Sequence, residues 1–140
     1  MSTTTIREFA FDRATTAVGG QLGTDGGICY LTEAHRNDDL DPRVAVGGSL
    51  TGSERNNKQQ SRTGRVRVIV DGTEQYAETE GTLALTDIQH TLQDELTTHA
   101  PPWGARGLRR MDEVAWDDSL NRYLGVQEFA FERNGLHPQY

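Results

Sequence analysis

The chain has 140 residues, 34% of them apolar, and its 14 basic side chains against 21 acidic ones give a formal net charge of −7. That length supports one domain around one modest core, and the 15 glycines, with abundant Thr and Asp, imply long connections around it. The single cysteine, Cys29, excludes an internal disulfide and reads as a buried small hydrophobe; no Cys/His spacing suits zinc, and no apolar run of about 18 residues reads as a membrane span.

The kind of charge is informative as well as its sum. Lys58 is the one lysine among the 14 basic residues. An acidic, Thr-rich and nearly Lys-free composition resembles the proteins of extreme halophiles, where molar salt shortens the Debye length to about 3 Å and surface repulsion becomes tolerable; a GC-rich genome that favours Arg is the alternative. The acidic total argues against a general nucleic-acid binder and leaves room for a local basic patch. Glu8 and Asp12 interrupt the apolar residues from Ile6 to Phe11, so the N-terminus does not read as a leader and the chain is expected to be soluble.

Thr5-Ile6-Arg7-Glu8 has the spacing of a capping box, and Ile6, Ala10, Ala14 and Ala17 recur at helical intervals. They predict a helix from Ile6 to Val18 that ends at Gly19-Gly20. A strand is the rival reading, because Glu8-Phe9-Ala10-Phe11-Asp12-Arg13 nearly duplicates Glu128-Phe129-Ala130-Phe131-Glu132-Arg133 and alternates as a strand does. The glycines between Gly19 and Gly27 fit neither a P-loop nor a dinucleotide pattern and read as a flexible connection. Ile28 to Leu31 reads as a short buried strand. Asn37 to Pro42 reads as a solvated acidic loop, since it lacks the glycine and terminal Glu of a calcium loop.

Arg43 to Val46 predicts a second short strand, and residues 47–64 a projecting polar loop whose only sizeable apolar side chain is Leu50. Arg55, Lys58, Arg62, Arg65 and Arg67 set five positive charges against Glu54 between Ser53 and Arg67. These five are the candidate interaction residues. Arg65 to Gly72 is the clearest strand, with Val66, Val68 and Val70 on one face and Arg65 and Arg67 on the other, as suits an antiparallel sheet with one wet face. Asp71-Gly72 signals a hairpin, and Thr73 to Thr79 reads as its return strand.

Thr86-Asp87-Ile88-Gln89 forms a second capping box, and Leu85, Ile88, Leu92 and Leu96 make an apolar stripe expected to meet the three valines. Pro101-Pro102 stops this helix, and His90 and His99 read as surface or capping groups. Leu108 to Trp116 and Arg122 to Arg133 close the chain as strands around an Asp117-Asp118-Ser119 turn. In the last strand the apolar phase changes between Val126 and Phe129, which implies a bulge or cover on both faces. Residues 134–140 read as a loose tail or an arm that docks on another subunit. Ser119 beside Asp117 and Asp118 lacks the glycines of a nucleophile elbow, so no enzyme, cofactor or metal is expected.

The expected fold class is α+β: a mainly antiparallel sheet packed by two helices in one domain. In that order of elements the chain resembles the tail terminator and tail-completion proteins of long-tailed viruses. The resemblance is carried by Arg65-Val-Arg-Val-Ile-Val-Asp, the helix from Leu85 to Leu96 and the closing Asp118-Ser-Leu-Asn-Arg-Tyr-Leu-Gly-Val-Gln-Glu-Phe-Ala-Phe. It implies a homo-oligomer, a hexameric ring, in the virion at the head–tail junction and assembled in the host cytoplasm. Its partners would be the tail tube protein and a neck stopper or adaptor, with DNA passing non-specifically through the lumen and no membrane. With the salt-adapted composition, a virus of a haloarchaeon is the implied context. A neck stopper or adaptor, or a host ligand-binding or regulatory domain, are the competing classes.

Overall fold

A computed structural model describes residues 5–53, 62–98 and 103–133. Arg55, Lys58, His99, the Pro101-Pro102 stop and the tail 134–140 lie outside the described residues. Five strands form one sheet: β1 (Gly27–Tyr30), β2 (Arg43–Ser53), β3 (Arg62–Gly72), β4 (Trp103–Asp117) and β5 (Arg122–Arg133), in the order β1-β2-β3-β5-β4. β1 runs parallel to β2, and every other neighbouring pair is antiparallel. The helices α1 (Ile6–Val18) and α3 (Ala84–Leu96) pack on one face and α2 (Glu74–Glu80) joins β3 to α3, so the α+β expectation holds.

The rival readings of the first segment resolve as a helix, for a local reason. Thr5 Oγ1 accepts the Glu8 amide and Glu8 Oε1 accepts the Thr5 amide, both at 3.1 Å, closing the capping box. α1 buries Ile6, Phe9, Ala10, Ala14 and Val18 against the sheet. Its first turn approaches so closely that a Cβ on Gly48 would lie 3.2 Å from backbone atoms of Arg7. On the same sheet face stand Val44 and Val46 of β2, Val66, Val68 and Val70 of β3, and Phe129 and Phe131 of β5. α3 meets them with Leu85, Ile88, Leu92 and Leu96, each at most 1% exposed. Burial of such a side chain contributes roughly 1.5–3 kcal/mol, so this stripe holds the two layers together. The Arg13–Glu95 ion pair at 2.7 Å links the two helices at the rim.

Five expectations need correction. The projecting loop is shorter than residues 47–64, because β2 continues to Ser53 and β3 begins at Arg62, with pairs from Gly47↔Arg67 to Ser53↔Arg62 inside the predicted excursion. Its polar residues fit a strand because a two-faced ladder needs alternation with a partner rather than hydrophobicity. Thr73 to Thr79 is no return strand. The Asp41 carboxylate accepts the Thr73 amide at 3.0 Å as well as its hydroxyl, and Thr73 Oγ1 in turn accepts the Tyr76 amide, so the chain leaves the sheet as α2. β3 pairs with β5 instead.

The capping box at Thr86 does not form, since α3 starts at Ala84 and Gln89 is turned into the core. β4 begins at Trp103, five residues before the predicted Leu108. The phase change in β5 has a different origin from a bulge in that strand. Its pairing with β3 is continuous, and Gly125 and Gln127 occupy the core-facing positions before Phe129 and Phe131. The irregularities lie in β4, at Ala105/Gly107, Leu108/Arg110 and Asp112/Ala115.

Among the described residues, the second face of the sheet is covered at one side only. A 3-10 segment, Leu31–Arg36, folds over β1 and β2 and buries Cys29 and Ala45, which are partners in the ladder. That burial raises the Cys29 thiol pKa above its ordinary value. Beneath the same cover, Asp71 Oδ2 accepts Arg43 Nη2 at 2.8 Å and Asp71 Oδ1 accepts Arg122 Nη2 at 2.9 Å. Arg43 also donates to the carbonyls of Ala34 and Asn37. The triad therefore fastens the 3-10 segment to the starts of β2 and β5.

Candidate functional site: a basic notch at the free edge of β2

The uncovered part of the second face lies over β3, β5 and β4. In register, Gly47, Arg67, Glu128 and Arg110 form one row across it, and Ser49, Arg65 and Ala130 the next. Arg67 donates to Glu128 Oε2 from Nη2 at 2.7 Å and from Nε at 3.2 Å. Arg110 pairs with Asp112 at 2.6 Å and Arg106 with Glu132 at 2.8 Å. Opposite charges on adjacent strands stabilise such a surface by cross-strand pairing, so the basic run expected from the sequence is partly neutralised by β5.

Of the five candidate residues, Arg65 and Arg67 stand together on this face and are exposed. Arg62 opens β3 opposite Ser53 and Arg133. A further cation, Arg7, was hidden by its place in a capping box. Its guanidinium lies 4.6 Å over the Tyr30 ring, which also stacks on Phe11 at 4.5 Å. Among the described residues neither Arg7 nor Arg65 has an ion-pair partner, although the Arg65 charge reaches Glu128.

These groups surround a notch of about 370 Å³ lined by Arg7, Leu31, Gly47, Gly48, Arg65 and Arg67, with Glu128 on its wall. It exists because β1 ends at Tyr30 and the chain turns away at Leu31, leaving the edge of β2 without a strand partner beyond Val46 among the described residues. Gly47 and Gly48 give it a main-chain floor, and Leu31 packs so close to Gly47 that an added Cβ would sit 3.0 Å from Leu31 Cδ2. No sequence pattern marks such a notch, because it depends on where β1 stops.

The hydrogen bond from Arg67, reinforced by its charge, lowers the Glu128 pKa below the ordinary glutamate value. A depressed carboxylate contributes stability above its unfolded pKa and loses it as pH falls through the folded one. The stability difference between the unchanged protein and Glu128→Gln is expected to be constant near neutrality and to vanish under acid, with a size below about 1 kcal/mol because the pair is exposed. Urea denaturation at a series of pH values measures it, and a difference that grows as pH falls would contradict the pairing.

Elsewhere, a wider hollow of about 720 Å³ is lined by Asp25, Asp39, Asp41 and Glu80 among others. Asp41 there is already engaged with Thr73. No group of three or more metal-ligating side chains occurs among the described residues. Ser119 donates its hydroxyl to Asp117 Oδ1 at 2.6 Å, and the same oxygen accepts the Leu120 amide, so this carboxylate closes the β4–β5 turn. Both hydrogen bonds lower its pKa, the one from the hydroxyl most. No described helix is long and apolar enough to cross a membrane. The chain matches no family model and no curated protein.

Proposed function

We propose that this chain is a structural virion protein that forms a ring at the head–tail junction of a long-tailed virus, ending the tail tube and joining it to the neck. The observation that carries the reading is the edge of β2 from Gly47 onward, which has no strand partner among the described residues and lies next to a sheet face that carries alternating charge. In a monomer an open edge is a liability, whereas at a junction between two assemblies a segment of the tube or neck protein covers it. The resemblance of the element order to tail terminators adds to it, as does the acidic, nearly Lys-free composition. Six copies carry about 42 formal negative charges, tolerable at high salt and costly at low salt.

The ring is therefore expected to assemble with increasing salt and in the presence of the tube protein. Light scattering across a salt series measures the mass, with a rise from one copy toward six as the expected result. A monomer that persists at multimolar salt with tube protein present overturns the reading.

A further inference from the structure

β2 has two different edges along its length. β1 covers it from Arg43 to Val46 and then stops. From Gly47 to Ser53 it keeps β3 on one side, and among the described residues no strand lies on the other. In an antiparallel pair every second residue turns both its N–H and its C=O outward, so this half-strand presents a row of main-chain groups that no strand among the described residues takes up.

Free edges are ordinarily defended by charge, proline, bulges or shortness. Two edges of this sheet follow that rule. β1 has only four residues, and β4 carries Arg106, Arg109, Arg110, Asp112 and Glu113 with three register shifts. The β2 edge, Gly47-Gly48-Ser49-Leu50-Thr51-Gly52-Ser53, has neither charge nor proline and a single shift near its end. It is an edge suited to receiving a strand.

The notch beside it defines what that strand carries. Three cations, Arg7, Arg65 and Arg67, line it against one carboxylate, and that carboxylate is already bonded to Arg67. Side chains of an incoming strand alternate between the two faces of the sheet. One set would face Arg7, on the helix side, and the other Arg65, which lines the notch together with Gly47. A guanidinium takes a carboxylate with two parallel hydrogen bonds, a short contact that salt screens least.

We infer that the Gly47–Ser53 edge of β2 is a docking site for an extended, carboxylate-bearing segment of a second protein, which adds a strand to the sheet and places its acidic side chains against Arg7 and Arg65. A second copy of this chain fits less well, since its own β2 edge would bring a second Arg7, from α1, and a second Arg65 to a site that is already cationic, and its β4 edge carries Arg106, Arg109 and Arg110 beside Asp112 and Glu113. The inference does not rest on the ring reading, because strand addition needs only one copy.

The test uses the full chain, isotope-labelled for amide NMR, and blocked peptides of about eight residues, a usual strand length. One repeats Glu-Glu-Val-Val, so that both faces of the strand carry carboxylates, one repeats Lys-Lys-Val-Val in the same way, and one is the Glu–Val peptide N-methylated at every second residue. The Glu–Val peptide is expected to move the amide signals of residues 47–53 and to bind about tenfold or more tightly than either of the others. Arg7→Gln and Arg65→Gln are each expected to weaken it by about fivefold. Should Arg7→Gln fail to fold, the N-methylated peptide on the unchanged protein still decides. Equal binding of the Glu and Lys peptides, shifts confined to β4, no shift at all, or movement of the same amides with protein concentration alone would each overturn the inference, the last by giving the edge to a second copy.

Discussion

Asp71→Asn is expected to destabilise the protein by about 3–5 kcal/mol, the effect of removing one partner from a buried ion pair. The Asp71 side chain is 3% exposed, and the Arg43 and Arg122 side chains it joins are 13% and 17% exposed. An amide keeps the shape but removes the charge that balances two nearly buried guanidinium groups. Domains of this size are stable by roughly 5–15 kcal/mol, so the variant is left with a small margin. The three members are expected to differ in order. Arg43→Gln ranks second, because Arg43 also satisfies the carbonyls of Ala34 and Asn37. Arg122→Gln ranks last, since Asp71 keeps both bonds from Arg43, and Arg122 Nε is buried without a hydrogen-bond partner among the described residues. Urea denaturation of the three variants measures the order, and an Asp71→Asn cost within about 1 kcal/mol of zero would show that the triad is solvated rather than buried.

How much of this fold the sequence discloses depends on how local each cause is. The two near-copies of Glu-Phe-Ala-Phe are the clearest case, for one is helix and the other strand, and Phe9 of the first packs edge-on against Phe131 of the second at 5.9 Å. The pattern is the same; what differs is Thr5, whose cap with Glu8 is local and readable, and the ladder to β3, which is not local. The valines of β3 and the leucine stripe of α3 are readable for the same reason, each being a periodic run long enough to fix its own phase. Asp71-Gly72 and Thr73 mislead because their partners, Arg43, Arg122 and Asp41, lie about 30 to 50 residues away. The basic site is half visible. Arg65 and Arg67 show themselves by alternation, whereas Arg7 and the open edge at Gly47 follow from where β1 ends.

Gln89→Ala is the second large effect expected, about 3 kcal/mol. Gln89 has no solvent exposure, and its side chain spans the third irregularity of β4, accepting the Val114 amide at 3.2 Å and donating to the Asp112 carbonyl at 3.1 Å. The register there sets three steps of β4, from Asp112 to Ala115, against two of β5, from Val126 to Leu124. Main-chain groups are thereby freed from the ladder. Truncation strands both groups, at about 1–3 kcal/mol each, and leaves a void. Gly125 makes the site testable by a second route. A Cβ there would lie 2.4 Å from Gln89 Nε2 and 2.9 Å from Val114 Cγ2, so Gly125→Ala alone is expected to destabilise by about 1–3 kcal/mol through overpacking. In the double variant the new methyl enters the space that Gln89 vacates. Its cost should fall below the sum of the two single costs by about 1 kcal/mol or more, as for residues in contact. Additive costs in a double-mutant cycle would mean that Gly125 and Gln89 do not share this space. Gln89→Glu supplies a further check through pH: burial raises the folded pKa of a carboxyl, so that variant's stability should be retained under acid and be lost as pH rises through the raised value.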